Sequence, residues 1–91
     1  TILALEELAG CVPGEDSVEG AFDERALVES LEQFLLALPR LKREVFIRRY
    51  WYLSSIRDIA GDYGMSESKT ASMLHRTRIQ LKAHLKEEGV L

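Results

Sequence analysis

Two serines, Ser55 and Ser66, stand eleven residues apart, and each opens a helical pattern. Ser55 is followed three residues on by Asp58, a capping-box arrangement with Asp in place of the usual Glu. Ile56, Ile59, Ala60 and Tyr63 give the short segment between the serines one apolar side. Gly64 follows, where a helix commonly closes on a left-handed residue. Ser66 then caps a second helix, with Glu67 in its first turn, where the helix dipole favours an acid. A short helix, a glycine turn and a capped long helix are the parts of a helix-turn-helix unit. The tight turn fixes the crossing angle, so one face of the second helix packs while its N-terminal turns project outward.

The rest of the chain is read around that unit. Leu27, Leu31, Phe34, Leu35 and Leu38 recur at helical spacing, so a helix is expected from about Ser17 or Asp23 to Leu38. Pro39 stops it, because proline lacks the N–H that would continue the ladder. A second helix is expected over roughly Arg40 to Leu53. It is apolar on more than one face, through Leu41, Val45, Phe46, Ile47, Tyr50, Trp51, Tyr52 and Leu53. The long helix after Ser66 is expected to run to about Glu88 and to end at Gly89. "TILALEELA" fits a short helix or a strand, and "CVPGEDSVEG" reads as a linker. No strand pattern and no internal repeat stand out in the rest. The fold class is therefore all-α: a small helical domain of about four helices with a C-terminal helix-turn-helix.

Composition restricts the function classes. A chain of 91 residues supports one modest core. No apolar run approaches the ~18 residues of a membrane span, and no signal peptide or membrane association is expected. Cys11 is alone, which excludes a disulfide within the chain and fits an inert thiol in a reducing cytoplasm. No nucleophile–base pair, paired carboxylates or phosphate loop is present, so no catalysis and no cofactor are expected. His75 and His84 lie nine apart without evident metal co-ligands. Thr1 stands where a complete chain would begin with Met, so a piece of a longer protein is expected.

Net charge is −3, but it is unevenly distributed. Residues 1–38 carry nine acids and one base, net −8; residues 39–91 carry eleven bases and six acids, net +5. The second half suits phosphates, and the first half would be repelled by them.

Turning about 100° per residue separates the faces of the last helix. Thr70, Leu74, Thr77, Leu81 and Leu85 fall inward. Ser68, Ser72, His75, Ile79, Lys82 and Lys86 fall outward, with Ala71 on one shoulder and Lys69 and Arg76 on the other. The outward N-terminal patch is thus Ser68, Lys69, Ala71, Ser72, His75 and Arg76. Serine and lysine can donate, histidine can donate or accept, and arginine can grip guanine or a phosphate.

From Leu38 to Leu85 the chain resembles region 4 of the sigma-70 family of bacterial transcription initiation factors, nearest to the short extracytoplasmic-function type. The resemblance rests on "LP" before a helix containing "REVF" and "RRY", then "DIA" and "YGMSES", then "LHRTR". LuxR-type regulators share the "DIA" and "YGMS" portion and remain an alternative. A degenerate helix-turn-helix serving only as a protein-interaction module is another. The sigma resemblance implies recognition of the −35 promoter element in the major groove, docking on the β-subunit flap of core RNA polymerase, and cover by an anti-sigma factor. It implies DNA contacts from Ser68, Lys69, Ala71, Ser72, His75 and Arg76, with Arg78 on phosphate or in a local salt bridge. Arg49 and Arg57 match places that meet the DNA backbone. Residues 1–22 match an acidic linker and residues 23–91 the region 4 domain. Three positions depart from the family pattern: Ala71 stands where Lys or Arg is common, Met73 where a basic or small residue is common, and Thr70 where Val is usual.

Overall fold

A computed structural model describes residues 7–8 and 24–89. Four helices follow one another: α1 (Glu24–Ala37), α2 (Arg40–Tyr50), α3 (Ile56–Tyr63) and α4 (Glu67–Glu87). No strand occurs among the described residues, and Glu7 and Leu8 are helical. The expected linker "CVPGEDSVEG", with Cys11, lies outside the described residues.

The long helix α4 packs against each of the other three. From it, Met73, Leu74, Leu81 and Leu85 enter a core with Phe34 and Leu38 of the α1 end, Val45, Phe46 and Tyr50 of α2, and Ile59 of α3. The inward face predicted for α4 is buried throughout: Thr70, Leu74, Thr77, Leu81 and Leu85. The two threonines meet the cost of burying a hydroxyl locally. Thr70 Oγ1 donates to the Ser66 carbonyl at 2.9 Å and Thr77 Oγ1 to the Met73 carbonyl at 2.8 Å. Met73 is also buried and is part of the core.

Three boundaries follow from named residues. Helix α1 stops at Ala37, and the Pro39 carbonyl then accepts the Arg43 N–H at 3.0 Å to start α2. Helix α2 ends at Tyr50, three residues before the expected Leu53. Its cap is Trp51, still right-handed, and two residues on Leu53 takes φ 55°, a left-handed conformation without glycine. The Ser54 N–H reaches back to the Arg48 carbonyl at 2.9 Å, and Arg49 Nη1 donates to the Ser54 carbonyl at 3.1 Å. These bonds hold the turn, which leaves Trp51, Tyr52 and Leu53 exposed.

Polar contacts tie the helices in pairs. Tyr63 of α3 donates to Glu44 of α2 at 2.8 Å, and Arg48 of α2 pairs with Asp62 of α3 at 2.8 Å. His84 Nε2 lies 3.0 Å from the Ser30 carbonyl, an acceptor, so the proton belongs on Nε2 and the bond joins α4 to α1. Ser30 Oγ is buried without a hydrogen-bond partner among the described residues.

Candidate nucleic-acid interface

The turn before α4 is built as its residue types require. Ser55 Oγ accepts the Asp58 N–H at 3.0 Å and starts α3. Gly64 closes that helix at φ 65°, ψ 34°, a left-handed conformation that would strain any residue with a Cβ. Ser66 Oγ then accepts the Lys69 N–H at 3.0 Å and starts α4. Within three residues of the close of α3, the chain has turned and opened a helix of 21 residues.

Burial of one face of α4 exposes the other. Ser68, Lys69, Ala71, Ser72, His75 and Arg76 are all exposed, in agreement with the predicted outward patch. Ala71, Ser72, His75, Arg76 and Arg78 line one shallow surface groove. Lys69 and Arg76 make no ion pair among the described residues. The patch therefore presents two cations, two hydroxyls, an imidazole and a methyl group to whatever approaches it. This donor set can contact base edges and phosphates, while the Ala71 methyl suits a thymine methyl.

The remaining predicted contacts divide. Arg57 is exposed in the first turn of α3. Arg49, expected to meet the DNA backbone, is only 8% exposed. Its Nη2 donates to Glu7 Oε2 at 3.0 Å and its Nε to Glu7 Oε1 at 3.3 Å. Arg49 is accordingly an internal strut, because all three guanidinium nitrogens donate within the protein, to Glu7 and to the Ser54 carbonyl. Arg78 sits between the two situations. It lines the groove, and its Nη1 also donates to the Tyr50 hydroxyl at 2.8 Å and lies 3.4 Å from Glu7 Oε1. Of the two roles expected for Arg78, the local salt bridge is the one this conformation holds.

Glu7 is the residue that spacing in the sequence did not reveal. Its carboxylate accepts from Arg49, from the Tyr50 hydroxyl at 2.9 Å and from Arg78, linking α2 to α4. Burial pushes its carboxyl up, but hydrogen bonds from Arg49 and Tyr50 and the charges of Arg49 and Arg78 outweigh that, so its pKa lies below the ordinary value. The Tyr50 hydroxyl, pushed up to about 12 chiefly by burial, stays protonated and donates. The partners of Glu7 lie 42 to 71 residues away along the chain. No local pattern in "TILALEELA" predicts that pairing.

Among the described residues, no group of three or more His, Cys, Asp or Glu side chains is placed to hold a metal ion. No helix of the described residues is long and apolar enough to cross a membrane.

Comparison with known proteins completes the site. The family model of sigma-70, region 4 matches residues 28–81, from α1 through the groove-lining half of α4. No curated protein and no solved structure matches the chain. The matched span covers more than half of the chain and contains both helices of the helix-turn-helix unit with the turn between them. The chain belongs to the sigma-70 region 4 family, the helix-turn-helix, DNA-binding part of bacterial transcription initiation factors.

Proposed function

We propose that this chain recognises the −35 promoter element through the first three turns of α4, inserted in the major groove, while docked on core RNA polymerase. The observation that carries this reading is the exposed patch Ser68, Lys69, Ala71, Ser72, His75 and Arg76 on a helix whose opposite face is locked into the core. Arg76 and Lys69 supply the charge-assisted contacts, Ser68, Ser72 and His75 the adaptable ones, and Ala71 an apolar contact. Arg57 meets the DNA backbone from α3. The chain acts as a non-catalytic domain of a cytoplasmic sigma factor, of the extracytoplasmic-function type. In this reading residues 1–22 are the linker and residues 23–91 the recognition domain.

Docking on the β-subunit flap is supported by apolar surface away from the recognition patch. Leu36 at 74% and Tyr52 at 74% exposure are large side chains with no role in the core. An anti-sigma factor that covers such surface, or the face of α4, would silence the domain. The same exposed apolar residues would also serve a module that binds only proteins, so DNA binding is the discriminating property. The test is a fluorescence titration of holoenzyme containing this chain with promoter duplex at several salt concentrations. Salt-dependent binding that weakens on Arg76→Ala supports the reading. Binding without salt dependence and untouched by Arg76→Ala overturns it.

A further inference from the structure

Arg78 lines the groove on the DNA-facing side of α4 and at the same time touches Glu7. Its side chain is 18% exposed, against 9% for Arg49, so of the two arginines held by Glu7 it is the one a ligand in the groove can reach. The bonding is also unequal. Arg49 holds Glu7 through two nitrogens and has a further acceptor in the Ser54 carbonyl. Arg78 approaches Glu7 through one nitrogen at 3.4 Å, a long contact, and also donates to the Tyr50 hydroxyl at 2.8 Å. A carboxylate and a phosphate oxygen are alternative acceptors for the same guanidinium fork.

We propose that Glu7 is an intramolecular stand-in for a DNA phosphate: it occupies Arg78 beside the recognition groove and gives that guanidinium up when duplex DNA is seated. The inference rests on the reading of α4 as the DNA-facing helix. Arg49 and Tyr50 retain Glu7 at the α2 end, so the exchange requires a swing of the Arg78 side chain and no unfolding of α4. While Glu7 holds it, Arg78 adds little to phosphate binding, and an acid outside α1–α4 sets how tightly the domain grips the DNA backbone.

The test uses holoenzyme containing the 91-residue chain and a promoter duplex, with binding followed by fluorescence anisotropy at several salt concentrations. The variants are Glu7→Gln, Arg78→Ala, their combination and Arg76→Ala, with Glu32→Gln on the exposed surface of α1 as a control for net charge. Glu7→Gln is expected to tighten binding several-fold and to steepen the dependence of log K on log salt by about 0.9, one added phosphate contact. Adding Arg78→Ala is expected to erase that gain, and Glu32→Gln to leave both quantities unchanged. A gain that survives Arg78→Ala, or no gain with Glu7→Gln, overturns the stand-in while leaving the recognition helix intact, provided Arg76→Ala still weakens binding. Absence of salt-dependent binding in every variant overturns the recognition helix itself and the stand-in with it. If Glu7→Gln fails to fold, the unmodified chain decides: the carboxyl carbon resonance of Glu7 is expected to shift when duplex is added, and a resonance that stays still overturns the proposal.

Discussion

Arg76 and Arg78 lie two residues apart on one helix and live in different surroundings. Arg76 is exposed, with no ion pair among the described residues, and lines the groove of α4. Arg78 is turned toward α2, where Tyr50 and Glu7 hold it. The recognition patch is thus a region in which polar groups are left to a partner, and the junction around Glu7 is one in which the protein supplies its own. The difference shows that counting cations along α4 overstates the charge it offers to a partner, since burial and ion pairs decide which of them are available.

The comparison depends on α4 being rotated and anchored as described, and the largest expected effect tests that anchor. Leu74 is 1% exposed, so Leu74→Ala is expected to cost about 2–5 kcal/mol in urea unfolding. A cost below 1 kcal/mol would mean that Leu74 does not hold the face. Gly64→Ala comes next. Space is open around the added Cβ, so the cost is that of the left-handed backbone alone, about 1–2 kcal/mol. Ser66→Ala removes the cap on the Lys69 N–H and is expected to cost about 1 kcal/mol.

The junction gives a smaller and pH-dependent effect. The Glu7 carboxyl has its pKa lowered in the folded chain, so its contribution to stability is fully present above the ordinary carboxyl range of about 4. It is lost as pH falls through the lowered folded value. Tyr50, whose hydroxyl is pushed up to about 12, keeps its proton through that range. The unfolding midpoints of the parent chain and of Glu7→Gln should therefore differ at pH 7 and converge well below pH 4. A difference that persists in strong acid would mean that Glu7 acts through packing and not through its charge. Smallest of all, Ser72→Ala should leave stability within about 0.5 kcal/mol, because Ser72 faces outward.

Much of this was legible in the sequence where the signals were local. The caps at Ser55 and Ser66, the glycine turn at Gly64 and the threefold and fourfold spacing of Leu74, Thr77, Leu81 and Leu85 each act over one or two turns of chain. The structure holds all of them. The turn after α2 was not legible, because Leu53 adopts a conformation that usually announces itself with glycine or asparagine. It does so under the constraint of bonds from Ser54 and Arg49 that belong to the tertiary fold. Arg49 was expected to meet the DNA backbone because it matches such a place in the sigma resemblance. Its burial follows from pairing with Glu7, and no periodicity encodes a contact 42 residues long. Met73 was assigned to neither face of α4, and only its packing in the core shows which side it takes.

In the proposed function the exposed start of α4 is a DNA-reading surface whose grip lies in Arg76. Holoenzyme containing the chain should bind promoter duplex with an affinity that falls steeply with salt. Arg76→Ala should weaken that binding by about 1–3 kcal/mol if the fork rests on guanine, or lower the salt slope by about 0.9 if it rests on a phosphate. Unchanged affinity together with an unchanged salt slope for Arg76→Ala, in a variant that unfolds like the parent, would contradict the account.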